Sequence, residues 1–257
     1  MTQPQIRNQL LSGLPREELA SLLPQLEQVS LQVEQTVISP FSPITHVHFM
    51  ESGLLSIVAN SGDREQAEIA MVGREGMSGI SLALGCNSVP FRVFVQRAGS
   101  AYRMSAEAFV QACEESSALR NAVLLYSQVF TTQVAETSRA NARHTVETRL
   151  ARWLLMAHDR TDGDDLPLTH EFLSLMLGVR RPGITVSLHV LEGEHMIRAR
   201  RGNIRILDRS KLELAARGSY GLPEAEYRRL LKPPSEILMN GINGNGQQIH
   251  LQGAHYA

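Results

Sequence analysis

Arg180 and Arg181 stand side by side, and Arg200, Arg201 and Arg205 follow in the same C-terminal stretch. A guanidinium is a planar fork that can grip guanine O6 and N7, or a phosphate, through two parallel hydrogen bonds. The surrounding segment is basic. Arg180, Arg181, Arg198, Arg200, Arg201, Arg205, Arg209, Lys211 and Arg217 face only Glu192, Glu194, Asp208 and Glu213, in a chain whose formal net charge is −1. A duplex carries a phosphate charge about every 1.7 Å of its axis, so such a patch suits nucleic acid. A solvated basic face would have the same composition, so the charge must be tested against the elements that carry it.

Other chemistries find little support. There is no Gly-x-Ser-x-Gly elbow, phosphate loop or His-Glu-x-x-His pair, and His170-Glu171 and Glu194-His195 read as solvated pairs at helix ends. No catalytic residue is assigned and an enzyme is not expected. Cys86 and Cys113, the two cysteines, suggest neither a disulfide framework nor a metal cage. No metal or other cofactor is expected. No run of 18 apolar residues exists and no secretory leader is read at the N-terminus, so the expected location is the cytoplasm.

The elements around the arginines have a definite order. Thr169, itself a candidate DNA contact, is placed to cap a helix whose apolar face is Phe172, Leu173, Leu175, Met176 and Leu177. Gly178 supplies the left-handed residue of a three-residue turn. A second helix starts at Arg180 or Arg181, with Pro182 in its first turn and Ile184, Leu188 and Leu191 pointing inward. Thr185 and His189 share a face with Arg181, and Gly183 leaves room for close approach of a duplex. Met196–Arg200 and Gly202–Leu207 then read as a hairpin whose Arg200, Arg201 and Arg205 reach phosphates. This is a helix-turn-helix with a wing.

Upstream, residues 6–27 read as a helical lead broken by Pro15 and Pro24. Residues 30–104 read as many short strands punctuated by Gly and Pro. A helix of residues 105–113 precedes a long one starting at Ser116 or Ser117. Leu119, Val123, Tyr126, Phe130, Val134 and Thr137 form one stripe along it. That stripe fits packing on the protein's own β-domain and a helix–helix dimer seam equally. A helix of residues 146–159 follows. The tail from residue 233 is poor in apolar residues and is expected to be disordered. The expected class is α+β, with units at 1–115 (β-roll), 116–142 (long helix), 143–232 (winged helix-turn-helix) and 233–257 (tail).

In this order of elements, and in Gly178-Val179-Arg180-Arg181-Pro182-Gly183, the chain resembles the cyclic-AMP receptor protein/FNR family of bacterial transcription regulators, over about residues 14–231. The resemblance implies a cyclic-nucleotide-binding-like β-roll, a homodimer seamed by the long helix, and an inverted-repeat operator. The implied partners are double-stranded DNA, a second copy of the chain and, as a candidate, RNA polymerase; no membrane partner is implied, and no effector is named. The family's cyclic-nucleotide cage is degenerate here. In the Gly-rich stretch that starts at Gly73, Gly79 matches the family's glycine, but Ile80 stands where a glutamate would hold the ribose, and Arg92 comes one position late, which strand alternation turns to the other face. Tight cyclic-AMP binding is therefore not expected. No cysteine precedes Cys86, against an iron–sulfur sensor, and His46 and His48 read as surface or packing residues of a strand. The rival reading is a small-ligand-binding β-domain whose helices serve only oligomerisation.

Overall fold

The structure is a computed structural model that describes residues 6–60 and 66–231. The tail reading falls outside the described residues. Pro15 and Pro24 break the lead into α1 (Gln9–Ser12), α2 (Arg16–Leu22) and a 3-10 turn, and strand β1 (Glu27–Leu31) already begins at the last residue of the expected helical lead. Strands β2 (Thr36–Ile38), β3 (His46–Asn60), β4 (Gln66–Val72), β5 (Met77–Ser78) and β6 (Arg92–Ser105) complete an antiparallel sheet. Its path runs β1-β6-β3-β4, with β2 on β6 and β5 on β3.

Two of these strands are longer than the sequence suggests. The runs at 47–50 and 54–58 read as separate strands, as do 91–95 and 101–104; each pair is one strand. The glycines between the paired runs mark bulges. Gly53 has φ +81°, and a Cβ on Gly99 would lie 2.2 Å from the Ser52 carbonyl oxygen. The register slips beside both, so the strands bend past each other without breaking.

Helices then follow in sequence: α3 (Ala106–Glu115), α4 (Ser117–Arg143) and α5 (Val146–Asp159). Each starts on a hydroxyl that accepts from a backbone N–H three residues on: Ser105 from Ala108, Ser116 from Leu119, Thr145 from Thr148. Strand β7 (Asp165–Leu166), helices α6 (His170–Leu177) and α7 (Arg181–Gly193), strands β8 (Ile197–Arg200) and β9 (Asn203–Ile206), and helix α8 (Arg209–Ala215) form the C-terminal unit, with a sheet in the order β7-β9-β8. Helix α9 (Leu222–Leu231) leaves that unit. The sequence groups it with the helix-turn-helix, yet its Tyr227 is buried in the N-terminal core and Leu230 and Leu231 pack beside it.

One core fills the β-roll and the inner face of α4; the other fills the C-terminal unit and draws Leu54, Val58, Met71 and Phe94 from the sheet. The edge strand β4 is covered by α4: the Met71 N–H donates to Gln133 Oε1 at 2.7 Å, and Gln133 Nε2 donates to the Met71 carbonyl at 3.2 Å. A side-chain amide thus satisfies an edge that would otherwise be open to another strand. Among the described residues, no helix is long and apolar enough to cross a membrane.

Candidate nucleic-acid interface

The helix-turn-helix is built from local chemistry. The Thr169 hydroxyl accepts from the Phe172 N–H at 3.1 Å and starts α6. Gly178, at φ +61°, stops it, and the Val179 N–H closes the turn onto the Ser174 carbonyl at 3.0 Å. Three residues later α7 begins, with Pro182 in its first turn where an N–H has no helical acceptor. Ile184, Leu188 and Leu191 are fully buried, and Ser187 is buried with them. Ser187 takes a place that an apolar residue would fill, and Leu188 carries the packing.

The opposite face is open. Arg180 and Arg181 lie exposed at the N-terminal end of α7, and the Arg181 side chain is 66% exposed. Its one acidic neighbour among the described residues, Glu171, is 3.9 Å away and also exposed, a pairing too solvated to hold it. Asn203 Nδ2 donates to Asp165 Oδ1 at 2.9 Å and helps fix the wing's base. Arg201 and Gly202 form its tip, with Gly202 at φ +74°. A groove of about 430 Å³ separates α7 from the wing and is lined by Thr169, Arg181, His189, Arg200 and Arg201 among others. Five residues proposed from the sequence therefore meet in one place.

Other expectations shift. Thr185 is half-buried and its hydroxyl is committed: it donates to the Arg181 carbonyl at 3.2 Å, and the His170 ring nitrogen Nδ1 lies 3.0 Å away. It ties α6 to α7. The Thr169 hydroxyl is likewise spent on its cap. Gly183 has open space around it. Arg205 is exposed but lies 3.8 Å from Asp165. Arg209, part of the basic patch by sequence, is half-buried and committed to Asp159 at 2.7 Å and Glu213 at 2.9 Å. One residue escapes the sequence reading: Glu192 accepts from the Ala199 N–H at 2.9 Å and anchors the wing to α7. Its place at the last but one residue of an apolar-faced helix gives no signal of that role.

The stripe on α4 needs correction as a dimer seam. Leu119, Val123 and Tyr126 are buried within the single chain, and Phe130 and Val134 pack against the same core. Thr137 is half-buried. Leu119, Val123 and Tyr126, enclosed by the chain itself, cannot also line a contact with a second copy, whereas Phe130, Val134 and Thr137 keep part of their surface open. The outward line is Asn121, Leu124, Gln128, Thr131, Ala135 and Ser138, all exposed and spaced alternately three and four apart.

The β-roll holds a cavity of about 270 Å³. Gly79 and Ile80 line it, with Val72, Met77, Phe91 and Val93, with Ser78, Ser81, Ser127 and Thr131, and, among the described residues, with no charged side chain. Gly73 lies elsewhere: a Cβ there would meet Arg160 Cγ at 2.6 Å. Arg92 turns away from the cavity, with Nε 3.2 Å from Thr36 Oγ1 and its guanidinium 4.6 Å from the Phe94 ring centroid. His48 is buried 3.2 Å from Ser78 Oγ; burial, then His46 and Arg103, push its pKa down to about 4, so the ring is neutral.

A β-roll, a long helix and a winged helix-turn-helix in this order define a mixed α+β fold shared with Crp/Fnr-type regulators. Residues 148–215, α5 through α8, match the Crp-like helix-turn-helix domain family. No curated protein matches the sequence. Among solved structures, FixK2 from Bradyrhizobium japonicum is similar with a TM-score of 0.65 at 13% identity, over 74% of this chain and 96% of that one. A CRP-family transcriptional regulator from Thermus thermophilus gives 0.63 at 18%, over 75% and 98%. A CooA mutant from Carboxydothermus hydrogenoformans gives 0.58 at 16%, over 76% and 90%. At these identities the likeness concerns the fold.

Proposed function

We propose that the chain is a sequence-specific, DNA-binding transcription regulator that works in the cytoplasm as a homodimer on an inverted-repeat operator, and that it is not an enzyme. The observation that carries this reading is the exposed N-terminal end of α7, with Arg180 and Arg181, set across one groove from a wing tip bearing Arg200 and Arg201. A helix offered in this way presents its first residues to base edges, while the wing meets phosphates. The functional units are an effector-like β-roll ending near residue 115, the long helix, and a DNA-binding unit from about residue 143. Subgroup kinship rests on the Gly178–Gly183 segment.

The test is selection of an operator from random duplexes, followed by affinity against salt. Arg181→Ala should lower affinity for the selected operator about 5- to 150-fold per half-site while changing random-DNA affinity far less, as loss of a bidentate base contact does. Arg201→Ala should weaken both alike and make the salt slope shallower by about one per half-site. Equal losses on both DNAs for Arg181→Ala would remove its reading role.

Control by cyclic AMP is not part of this reading. Among the described residues, the β-roll cavity has no cation for a cyclic phosphate and no carboxylate for a ribose. Calorimetry with cyclic AMP should give no binding heat in the micromolar range; a micromolar dissociation constant would overturn this. The rival oligomerisation reading leaves the open face of α7 and the arginine wing without a purpose.

A further inference from the structure

The open face of α7 carries an apolar feature that the arginines do not explain. Val186 is 62% exposed and Val190, one turn on, is 41% exposed. The helix already buries Ile184, Leu188 and Leu191, so neither valine is needed for its core. Pro182, Val186, His189 and Val190 are all exposed and lie along one line of the helix, with Val186 near its middle. Arg181 and the half-buried Thr185 flank that line on the side towards α6. Val186 is therefore the most outward side chain in the middle of the helix.

Resting on the reading of α7 as the recognition helix, we propose that Val186 reads the 5-methyl group of a thymine in each operator half-site, with Val190 closing water from the contact. The occupant is fixed by charge and by chemistry. Arg180 and Arg181 at one end and Arg200 and Arg201 across the groove draw a polyanion to this face. In the major groove of a duplex, the apolar group on offer is the thymine methyl. A short β-branched side chain makes no hydrogen bond to a base edge and gains only by covering such a group. Specificity at that position is then apolar, beside the polar readout supplied by Arg181.

The test replaces each thymine of the selected operator, one at a time on both strands, by uracil, which lacks only the methyl group. Wild-type protein should lose about fourfold in affinity per half-site at one thymine position, the worth of one buried methyl, and about fifteenfold when both half-sites are changed. Val186→Ala should bind the thymine operator more weakly and be indifferent to uracil at that position. Specific binding with no uracil effect, or a Val186→Ala variant that keeps the effect, would overturn the assignment of Val186 alone. Failure to select any operator would overturn the regulator reading and this assignment together.

Discussion

Glu68→Gln should make the protein about 3 kcal/mol more stable at pH 8 while leaving its stability at pH 4 nearly unchanged. Glu68 lies on β4, fully enclosed, where the Trp153 indole N–H of α5 donates to its Oε1 at 2.6 Å. Ser56 Oγ is 2.5 Å from Glu68 Oε2 and 2.7 Å from Gln96 Oε1. A serine hydroxyl has one proton and cannot serve both oxygens. The chain closes if Glu68 is itself protonated, donating to Ser56, which donates to Gln96. Burial pushes the carboxyl pKa up from the usual 4.5 to about 7, against the pull of the Ser56 and Trp153 hydrogen bonds and of Arg160 and Arg152. The folded state therefore holds a proton that the unfolded state releases between those values. Stability is fully present below about pH 4.5, falls as pH rises towards 7, and levels off above it. That displacement corresponds to about 3 kcal/mol. Glutamine mimics the neutral acid: its Oε1 accepts from Trp153 and its Nε2 donates to Ser56, with nothing to titrate. Urea unfolding from pH 4 to 8 at fixed protein concentration is the measurement, and parallel curves for the two proteins would refute the assignment.

What the sequence discloses here is local, and what it conceals depends on distant partners. Thr169, Gly178 and Pro182 act on their own backbone, so the helix-turn-helix can be read from them with its three-residue turn in place. The hairpin wing follows from alternation and a glycine tip. Gly53 and Gly99 emit the same signal as a turn glycine; only the approach of β3 to β6, more than forty residues apart, makes them bulges. Arg209 has the composition of a DNA contact, and Asp159, fifty residues earlier, ties its guanidinium up in an ion pair. Glu68 looks like an exposed strand residue until Trp153 arrives from α5. The apolar stripe of α4 announces that one face must be covered. It does not say by what, and the cover is the β-roll together with α9, a helix that the chain's own C-terminal unit lends to its N-terminal core.

That last point moves the expected dimer contact to the other side of α4, and the consequence for DNA binding is large. Asn121, Leu124, Gln128, Thr131, Ala135 and Ser138 repeat at alternate spacings of three and four, the seam of two helices packed side by side. Leu124, at 38% exposed, is the one large apolar side chain among them, and the small Ala135 and Ser138 permit close approach. Leu124→Glu should therefore yield a monomer with unchanged helical content, read by sedimentation equilibrium and circular dichroism. A monomer holds one half-site, and losing the linked second half-site costs about 10²- to 10⁴-fold in operator affinity. The salt slope should fall by about half, because half the phosphates are met. Val123→Glu, one residue away, faces the core and should unfold the β-roll instead. If Leu124→Glu stays dimeric with full operator affinity, the outer face of α4 is not the seam. A contact with so little apolar surface also predicts a dimer that dissociates on dilution, so that operator occupancy should rise with the square of protein concentration at the lowest concentrations.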